Sequence, residues 1–143
     1  MNRNFAMDDI EVYASEYANV TYNSKSKSII VKWHGNVSSK EYIRAIETAL
    51  DYQKKYEVPI HNYISDIRGQ GIVSPESRKW FEKNAIPRAV SQGLLRAGVV
   101  LEGNFFKKYY LNMILQVSKA YKLPLKFFNS FEEAIDWASS FED

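Results

Sequence analysis

The apolar positions along the chain follow two spacings, one typical of strands and one typical of helices. Short β-branched and aromatic runs predict strands, at residues 28–33, 60–67, 94–101 and 124–128. Between these runs, apolar side chains recur at helical spacing, over residues 42–56, 75–93, 105–121 and 131–141. Residues 17–22 alternate weakly and are joined to the first run by the polar turn 23–27, which predicts an opening β-hairpin.

Serines and prolines mark the boundaries of the predicted helices. Ser38 and Ser130 each precede a glutamate by three positions, which is the spacing of a capping box. Ser74 is followed by Pro75, and proline fits the first helical position because no N–H is needed there. Pro87 predicts a break or kink in this second helix, before a short continuation.

The predicted element order is β-β-α-β-α-β-α-β-α, with strict alternation of strands and helices after the hairpin. This α/β pattern predicts a mostly parallel sheet with right-handed crossovers and helices packed against it. Residues 1–15 are polar and lack a clear period, so we expect an N-terminal arm followed by a single domain at 16–143. The hairpin leaves an edge strand at which a homodimer could pair.

The composition is that of an ordinary globular domain, and it excludes several kinds of chemistry. The chain has 143 residues, of which 45% are hydrophobic and 25% charged, enough for one domain with a substantial core. The absence of cysteine excludes disulfides, thiolate catalysis and cysteine-ligated zinc. His34 and His61 have no metal-binding or catalytic spacing, and no dinucleotide or P-loop motif is present. We therefore expect no enzyme activity, no metal and no cofactor.

Charge and hydropathy predict a cytoplasmic protein that neither binds nucleic acid nor spans a membrane. The formal net charge is +2, which is too small to indicate nucleic-acid binding, and the lysines within 107–126 fit a solvated helix face. The first residues lack the pattern of a signal peptide. No apolar stretch approaches the length of a membrane-spanning helix.

The strongest candidate site is the turn at residues 66–76, where a predicted strand gives way to a helix. Asp66 and Arg68 lie two apart on the strand, so they share a face and could form an ion pair, or Arg68 could bind an anionic ligand. Ser74 is suited to cap the helix, and the helix dipole would also favour a phosphate or another anion there. Ligands bind at the carboxyl ends of strands in open α/β sheets. The turn is therefore either a working site or a well-stabilised connection.

Aromatic side chains make up 15% of the residues and provide the second candidate site. The rings concerned are Tyr63, Trp80, Phe81, Phe105, Phe106, Tyr109 and Tyr110. Adjacent helical positions lie about 100° apart, so the four rings on the predicted helix at 105–121 cover a broad arc. Such rings could fill the core, line an apolar pocket or face a partner.

The element order and several segments resemble the STAS domain family, in particular its SpoIIAA-like, STAS/SEC14-like branch of small stand-alone bacterial domains. These segments are IIVKWHG at 29–35, SDIRGQGIVSPESRKW at 65–80, AGVVL at 97–101 and NSFEEAIDW at 129–137. In signalling members of the family, a serine at the start of the helix after this strand is phosphorylated, which places Ser74 near that role. Those members carry Asp-Ser-(Ser or Thr)-Gly there, whereas this chain has GIVSP at 71–75.

The resemblance implies a non-catalytic regulatory domain that binds a protein partner, gated by modification or a ligand at residues 66–76. The SEC14-like comparison implies instead a hydrophobic or lipid-like ligand. The second hypothesis is therefore a small-molecule carrier that holds a lipid-like molecule or an apolar or amphipathic anion between the aromatic helix and the turn that carries Asp66 and Arg68. This second hypothesis predicts a continuous cavity lined by some of the aromatic rings. A core filled by all of them would argue against it.

Overall fold

The computed structural model describes residues 9–102, 116 and 119–143. Within these residues, six strands form one sheet whose spatial order repeats their order in the chain. They are β1 (Asp9–Ala14), β2 (Ala18–Asn23), β3 (Ser28–Gly35), β4 (Asn62–Gln70), β5 (Arg96–Val100) and β6 (Leu125–Phe128). The pairs β1–β2 and β2–β3 are antiparallel, and the three pairs from β3 to β6 are parallel. The predicted hairpin and mostly parallel sheet are confirmed.

The helices begin at the serines that the sequence indicated. The helical segments are α1 (Ser39–Tyr56), α2 (Pro75–Trp80), a π-helical turn (Phe81–Ala85), α3 (Ile86–Ser91) and α4 (Phe131–Ser139). Ser38 and Ser130 are the N-caps of α1 and α4, and each side chain accepts a backbone hydrogen bond at 3.2 Å. The Ser38 and Ser130 caps are therefore confirmed, while the Glu41 carboxylate of the first predicted capping box accepts from the hydroxyls of Tyr13 and Ser15.

The break that Pro87 predicts takes the form of a widened turn. The segments α2, the π-helical turn and α3 follow one another without interruption from residue 75 to 91. In the π-helical turn, the N–H of Ile86 donates to the carbonyl of Phe81, five residues earlier. Proline cannot donate the usual helical hydrogen bond, and a π-helical turn lets the helix continue past that missing donor.

Residues 9–14 differ from the expected polar arm, because they form the edge strand β1. Glu11 pairs with Thr21 and Tyr13 with Val20, so Val12 is an extra residue in β1. This bulge breaks the period of two, and both Val12 and Tyr13 pack against the core. The Tyr13 hydroxyl also donates to the Glu41 carboxylate at 2.8 Å, which ties β1 to the start of α1. The bulge explains why the sequence of these residues lacks the regular alternation of a strand and suggested an arm.

The sheet has two packed faces, which we call the broad face and the narrow face. The broad face lies under α1, the π-helical turn and α3, and its buried side chains include Val20, Val31 and Trp33. The narrow face lies under α4, where Ile30, Ile64, Val100 and Phe128 of the sheet pack with Ala134 and Ala138 of the helix. Along β4, residues 63, 65 and 67 belong to the broad face, and residues 62, 64 and 66 to the narrow face.

Candidate functional site

β4 carries one extra residue near its carboxyl end, and this bulge changes the face that its side chains present. Lys32 of β3 pairs with Asp66, whereas His34, two residues later, pairs with Gly69, three residues later. Before the bulge the side chains alternate, so Asp66 points to the narrow face. After the bulge, Gln70 lines a cavity on the broad face. The turn at 66–76 is therefore divided between the two faces of the sheet.

Asp66 and Arg68 form a two-pronged ion pair on the narrow face. Arg68 donates from Nε to one carboxylate oxygen of Asp66 at 2.9 Å and from a terminal nitrogen to the other at 2.7 Å. The Asp66 side chain is 7% exposed and that of Arg68 is 32% exposed. Burial alone would raise the pKa of Asp66, but the hydrogen bonds from Arg68 and the nearby charges outweigh it and hold that pKa below its ordinary value. The geometry favours the ion-pair alternative for these residues, because two guanidinium donors are directed at the carboxylate.

Gly71 allows the loops after β3 and β4 to approach each other closely. Its N–H donates to the carbonyl of Gly35 at 2.8 Å. A Cβ atom at this position would overlap the side-chain oxygen of Asn36 and lie 3.3 Å from the Gly35 carbonyl oxygen. A larger residue at position 71 would therefore require the exposed Asn36 side chain to move aside. The close approach brings the start of α1 next to the start of α2.

Ser74 is the N-cap of α2 and the centre of a serine cluster formed by Ser39, Ser74 and Ser77. The Ser74 hydroxyl accepts from the N–H of Ser77 at 3.1 Å, which confirms the predicted cap. It also lies 2.9 Å from the Ser39 hydroxyl and 3.0 Å from the Ser77 hydroxyl. The Ser77 hydroxyl donates to that of Ser39 at 3.0 Å, and Ser77 is buried. The cluster links the first turn of α1 to the first turn of α2.

A cavity of about 120 Å³ lies between the broad face and the helices that cover it. Most of the described side chains that line it are apolar, among them Ile29, Val31, Ile67, Ala97 and Val99 from the strands and Ile46, Ala49, Ala85 and Ala89 from the helices. Protein interiors are close-packed and contain few voids larger than a water molecule. The cavity is thus a distinct feature of this core.

Aromatic side chains form a continuous part of the cavity wall, which we call the aromatic wall (Trp33, Tyr42, Tyr63 and Phe81). Trp33 and Tyr42 are stacked, with ring centroids 4.8 Å apart and planes 14° from parallel. Phe81 meets Tyr42 edge-on at 6.2 Å and lies 6.1 Å from Tyr63. The rings thus contact one another in sequence from the sheet to the π-helical turn.

The described polar groups at the cavity include the side chains of Gln53, Tyr63, Ser65, Gln70 and Arg78. Burial raises the pKa of Tyr63 to about 12, and hydrogen bonds with the Ser65 and Trp33 side chains act in the opposite direction. Tyr63 therefore carries a neutral hydroxyl at physiological pH. The Gln53 side-chain amide donates to the Gln92 backbone carbonyl at 3.0 Å.

The structure brings together only part of the predicted aromatic set. Tyr63 and Phe81 line the cavity, as the small-molecule hypothesis requires. Trp80 packs partly buried against the core and is not among the residues that line the cavity. The four rings on the predicted helix at 105–121 lie outside the described residues, namely Phe105, Phe106, Tyr109 and Tyr110.

Sequence reasoning missed Trp33 and Tyr42 as members of the aromatic wall. Trp33 follows Ile29 and Val31 at a spacing of two, and this spacing places all three side chains on the broad face. Tyr42 opens the apolar stripe of α1. These periodicities were visible in the sequence and were assigned to the core without regard to a cavity.

The other features considered are metal sites, membrane-spanning helices and the two histidines. In residues 9–102, 116 and 119–143, no group of three or more His, Asp or Glu side chains could hold a metal ion. Over the same residues, no helix has the length and apolar character needed to cross a membrane. A His34 ring nitrogen lies 3.2 Å from the Asn19 side-chain oxygen, while His61 lies 3.4 Å from the Asp143 carboxylate near the start of β4.

Comparison with known proteins identifies a solved structure with a similar fold. No family model matches this chain, and none of the curated proteins does. Among solved structures, it is similar to the crystal structure of an uncharacterised protein of the DUF3478 family, with a SpoIIAA-like fold, from Shewanella loihica PV-4. The sequence identity is 15% and the TM-score 0.54, and the alignment covers 96% of this chain and 98% of the other. The chain therefore has the SpoIIAA-like fold of STAS domains that its sequence predicts, and at this identity the likeness concerns the fold alone.

Proposed function

We propose that the chain is a non-catalytic binding domain of the cytoplasm that holds a small apolar molecule in the cavity on its broad face. The observation that carries the proposal is a cavity of about 120 Å³ between the broad face and its helices, whose described walls are mainly apolar. An engineered cavity of about 150 Å³ lined by Leu, Ile and Phe side chains stays dry and binds benzene. A ligand of about the size of one aromatic ring fits this volume.

The proposal predicts that a small apolar probe stabilises the folded protein. A molecule that binds only the native state adds about 2.7 kcal/mol to stability when its concentration is a hundred times its dissociation constant. Benzene is a suitable probe, and urea denaturation with and without saturating benzene measures the effect. Native and denaturing mass spectrometry of protein purified from its own host would show in parallel whether a natural ligand is carried and lost on unfolding.

A matched pair of alanine substitutions separates cavity binding from a general effect of benzene. Ala97 lines the cavity, whereas Ala138 is buried under the narrow face. Ala97→Leu adds an isopropyl group that the cavity can accommodate, so the fold should remain stable and the benzene effect should disappear. Ala138→Leu overfills a packed site, so it should cost about 1–3 kcal/mol while the benzene effect persists. Equal benzene effects in wild type and Ala97→Leu would contradict the proposal.

A second candidate function is a regulatory one, in which modification of Ser74 changes the surface offered to a protein partner. It is favoured by the position of Ser74, whose hydroxyl contacts Ser39 and Ser77 and so links α1 to α2. A phosphate on this hydroxyl would remove the hydroxyl proton, add negative charge and break the present cluster. The two first turns would then separate or rearrange around the new group.

Ser74→Glu and Ser130→Glu test this second function, because both serines are N-caps and Ser74 alone also belongs to the serine cluster. Amide hydrogen exchange should increase in the first turns of both α1 and α2 for Ser74→Glu, and only in α4 for Ser130→Glu. Peptide mass spectrometry of protein from its own host should find phosphate on Ser74. Unchanged exchange in α1 together with an unmodified Ser74 would remove this candidate.

A further inference from the structure

We infer that the ligand of the cavity is a neutral molecule with a single aromatic ring and one hydrogen-bonding substituent, of which phenol is the simplest example. This inference rests on the proposed function, because it names the chemical class that the same cavity would take. It depends on the cavity's volume, on its aromatic wall and on the hydroxyl groups that reach it.

The volume and the wall favour one flat ring over an extended chain. A cavity of about 120 Å³ is smaller than the engineered cavity of about 150 Å³ that accepts benzene, so it admits one ring and not two. Aromatic rings pack best edge-to-face or offset against other rings, at centroid distances of about 4.5–7 Å. Phe81 already meets Tyr42 edge-on at 6.2 Å. A ligand ring beside Phe81 would extend this arrangement.

Two hydroxyl side chains at the cavity stand on one strand. Tyr63 and Ser65 are two apart on β4, so both side chains belong to the broad face, and both line the cavity. Each hydroxyl can donate one hydrogen bond and accept others. A ligand hydroxyl could therefore bind either of them as donor or acceptor. The remainder of the wall is mainly apolar and suits the ring.

The charge of the ligand is decided by the cost of burial. A neutral hydroxyl that finds a partner is buried at little cost, whereas an ionised carboxylate loses far more hydration. Arg78 is also at the cavity, so benzoate is the competing probe that the experiment must include. A neutral ligand fits better because most of the described lining is apolar and the hydroxyls of Tyr63 and Ser65 can serve as donor or acceptor.

Calorimetric or NMR titration of the full chain with benzene, phenol and benzoate tests the inference. Phenol should bind about two- to ten-fold more tightly than benzene, which is the range expected for one net hydrogen bond. Benzoate should bind more weakly than phenol. Tyr63→Phe should bring the phenol-to-benzene affinity ratio close to one, and Ser65→Ala should lower it independently. Tyr56→Phe is the matched control, because Tyr56 is 57% exposed and does not line the cavity, and it should leave the ratio unchanged.

The outcomes separate this inference from the proposed function. Benzene and phenol binding with equal affinity to wild type would overturn the inference and leave the apolar cavity site in place. Benzoate as the tightest ligand would overturn it in favour of a charged ligand at Arg78. A phenol preference that survives both Tyr63→Phe and Ser65→Ala would overturn the role of the hydroxyl pair. Failure of all probes to bind would overturn the inference and the proposed function together.

Discussion

The ion pair of Asp66 and Arg68 should respond unequally to loss of its two members. Arg68→Met keeps most of the side-chain stem and removes both guanidinium hydrogen bonds to a carboxylate that is 7% exposed. Hydrogen bonds to charged groups contribute about 1.5–3 kcal/mol each, and the partial exposure of Arg68 screens the pair, so we expect a loss of about 2 kcal/mol at pH 7. Asp66→Ala should cost about 1 kcal/mol, because the freed Arg68 can turn into water.

The pH dependence of the same variants provides an independent signature. In the wild type, the lowered pKa of Asp66 means that its stabilising contribution is present above the unfolded carboxyl pKa of about 3.9. That contribution is lost as the pH falls through the lower pKa of the folded state. In Arg68→Met, the hydrogen bonds that lower the pKa are removed and burial, which raises it, remains. Protonation of Asp66 then removes the cost of burying its charge in the variant. The stability difference from wild type should therefore shrink as the pH falls below the unfolded carboxyl pKa of about 3.9 and through the lower folded-state pKa of Asp66.

Urea denaturation followed by tryptophan fluorescence at neutral and acidic pH measures both effects. Unchanged slopes of free energy against urea concentration would show that the variants unfold from a similarly compact state. The reasoning is refuted if Asp66→Ala costs more than Arg68→Met at pH 7. It is equally refuted if the difference between wild type and Arg68→Met stays constant as the pH falls.

The other predictions concern the narrow face, the cavity and the end of the chain. Gly98→Ala should lower the free energy of unfolding, measured by urea denaturation, by about 1–3 kcal/mol, because a Cβ there would lie 3.0 Å from a ring carbon of the buried Phe128. An unchanged free energy of unfolding would mean that this ring can shift freely. The difference in ultraviolet absorbance between wild type and Tyr63→Phe should show a phenol ionising at about pH 12, and ionisation near pH 10 would contradict the burial of that hydroxyl. Arg96→Met should speed amide exchange in α4, because it removes the contact between the buried guanidinium and the Asp143 carboxylate just beyond that helix, and unchanged exchange would show that α4 is held without it.

The helix starts were predictable because the responsible chemistry is local in the chain. Ser38, Ser74 and Ser130 cap α1, α2 and α4 through hydrogen bonds to residues only three positions away. Such contacts depend on the short sequence around each serine and not on the rest of the fold. The ion pair of Asp66 and Arg68 was one of two alternatives that the sequence offered, and it too joins residues only two positions apart in the chain.

The cavity and the strand β1 depend on relations that a local pattern does not contain. Whether Tyr63 and Phe81 fill the core or line a space is set by how closely α1 and the π-helical turn approach the sheet. In β1, the bulge at Val12 removes the alternation by which a strand is recognised, and only pairing with β2 reveals it. The bulge near the end of β4 has a similar effect on the turn at residues 66–76. The sequence predicted a single site there, but the bulge places side chains of this turn on both faces of the sheet.

The order of the strands has a consequence for synthesis on the ribosome. Within the described sheet, each strand from β2 to β6 lies beside the strand that precedes it in the chain. A nascent chain emerges from the ribosome with its N-terminus first. Each newly synthesised strand can therefore pair at once with a neighbouring strand that has already been synthesised. The antiparallel pairs, with short loop closures, come first, and the slower parallel pairs are then added one crossover at a time. The growing sheet thus provides a ready template for each addition, and the chain can assemble vectorially.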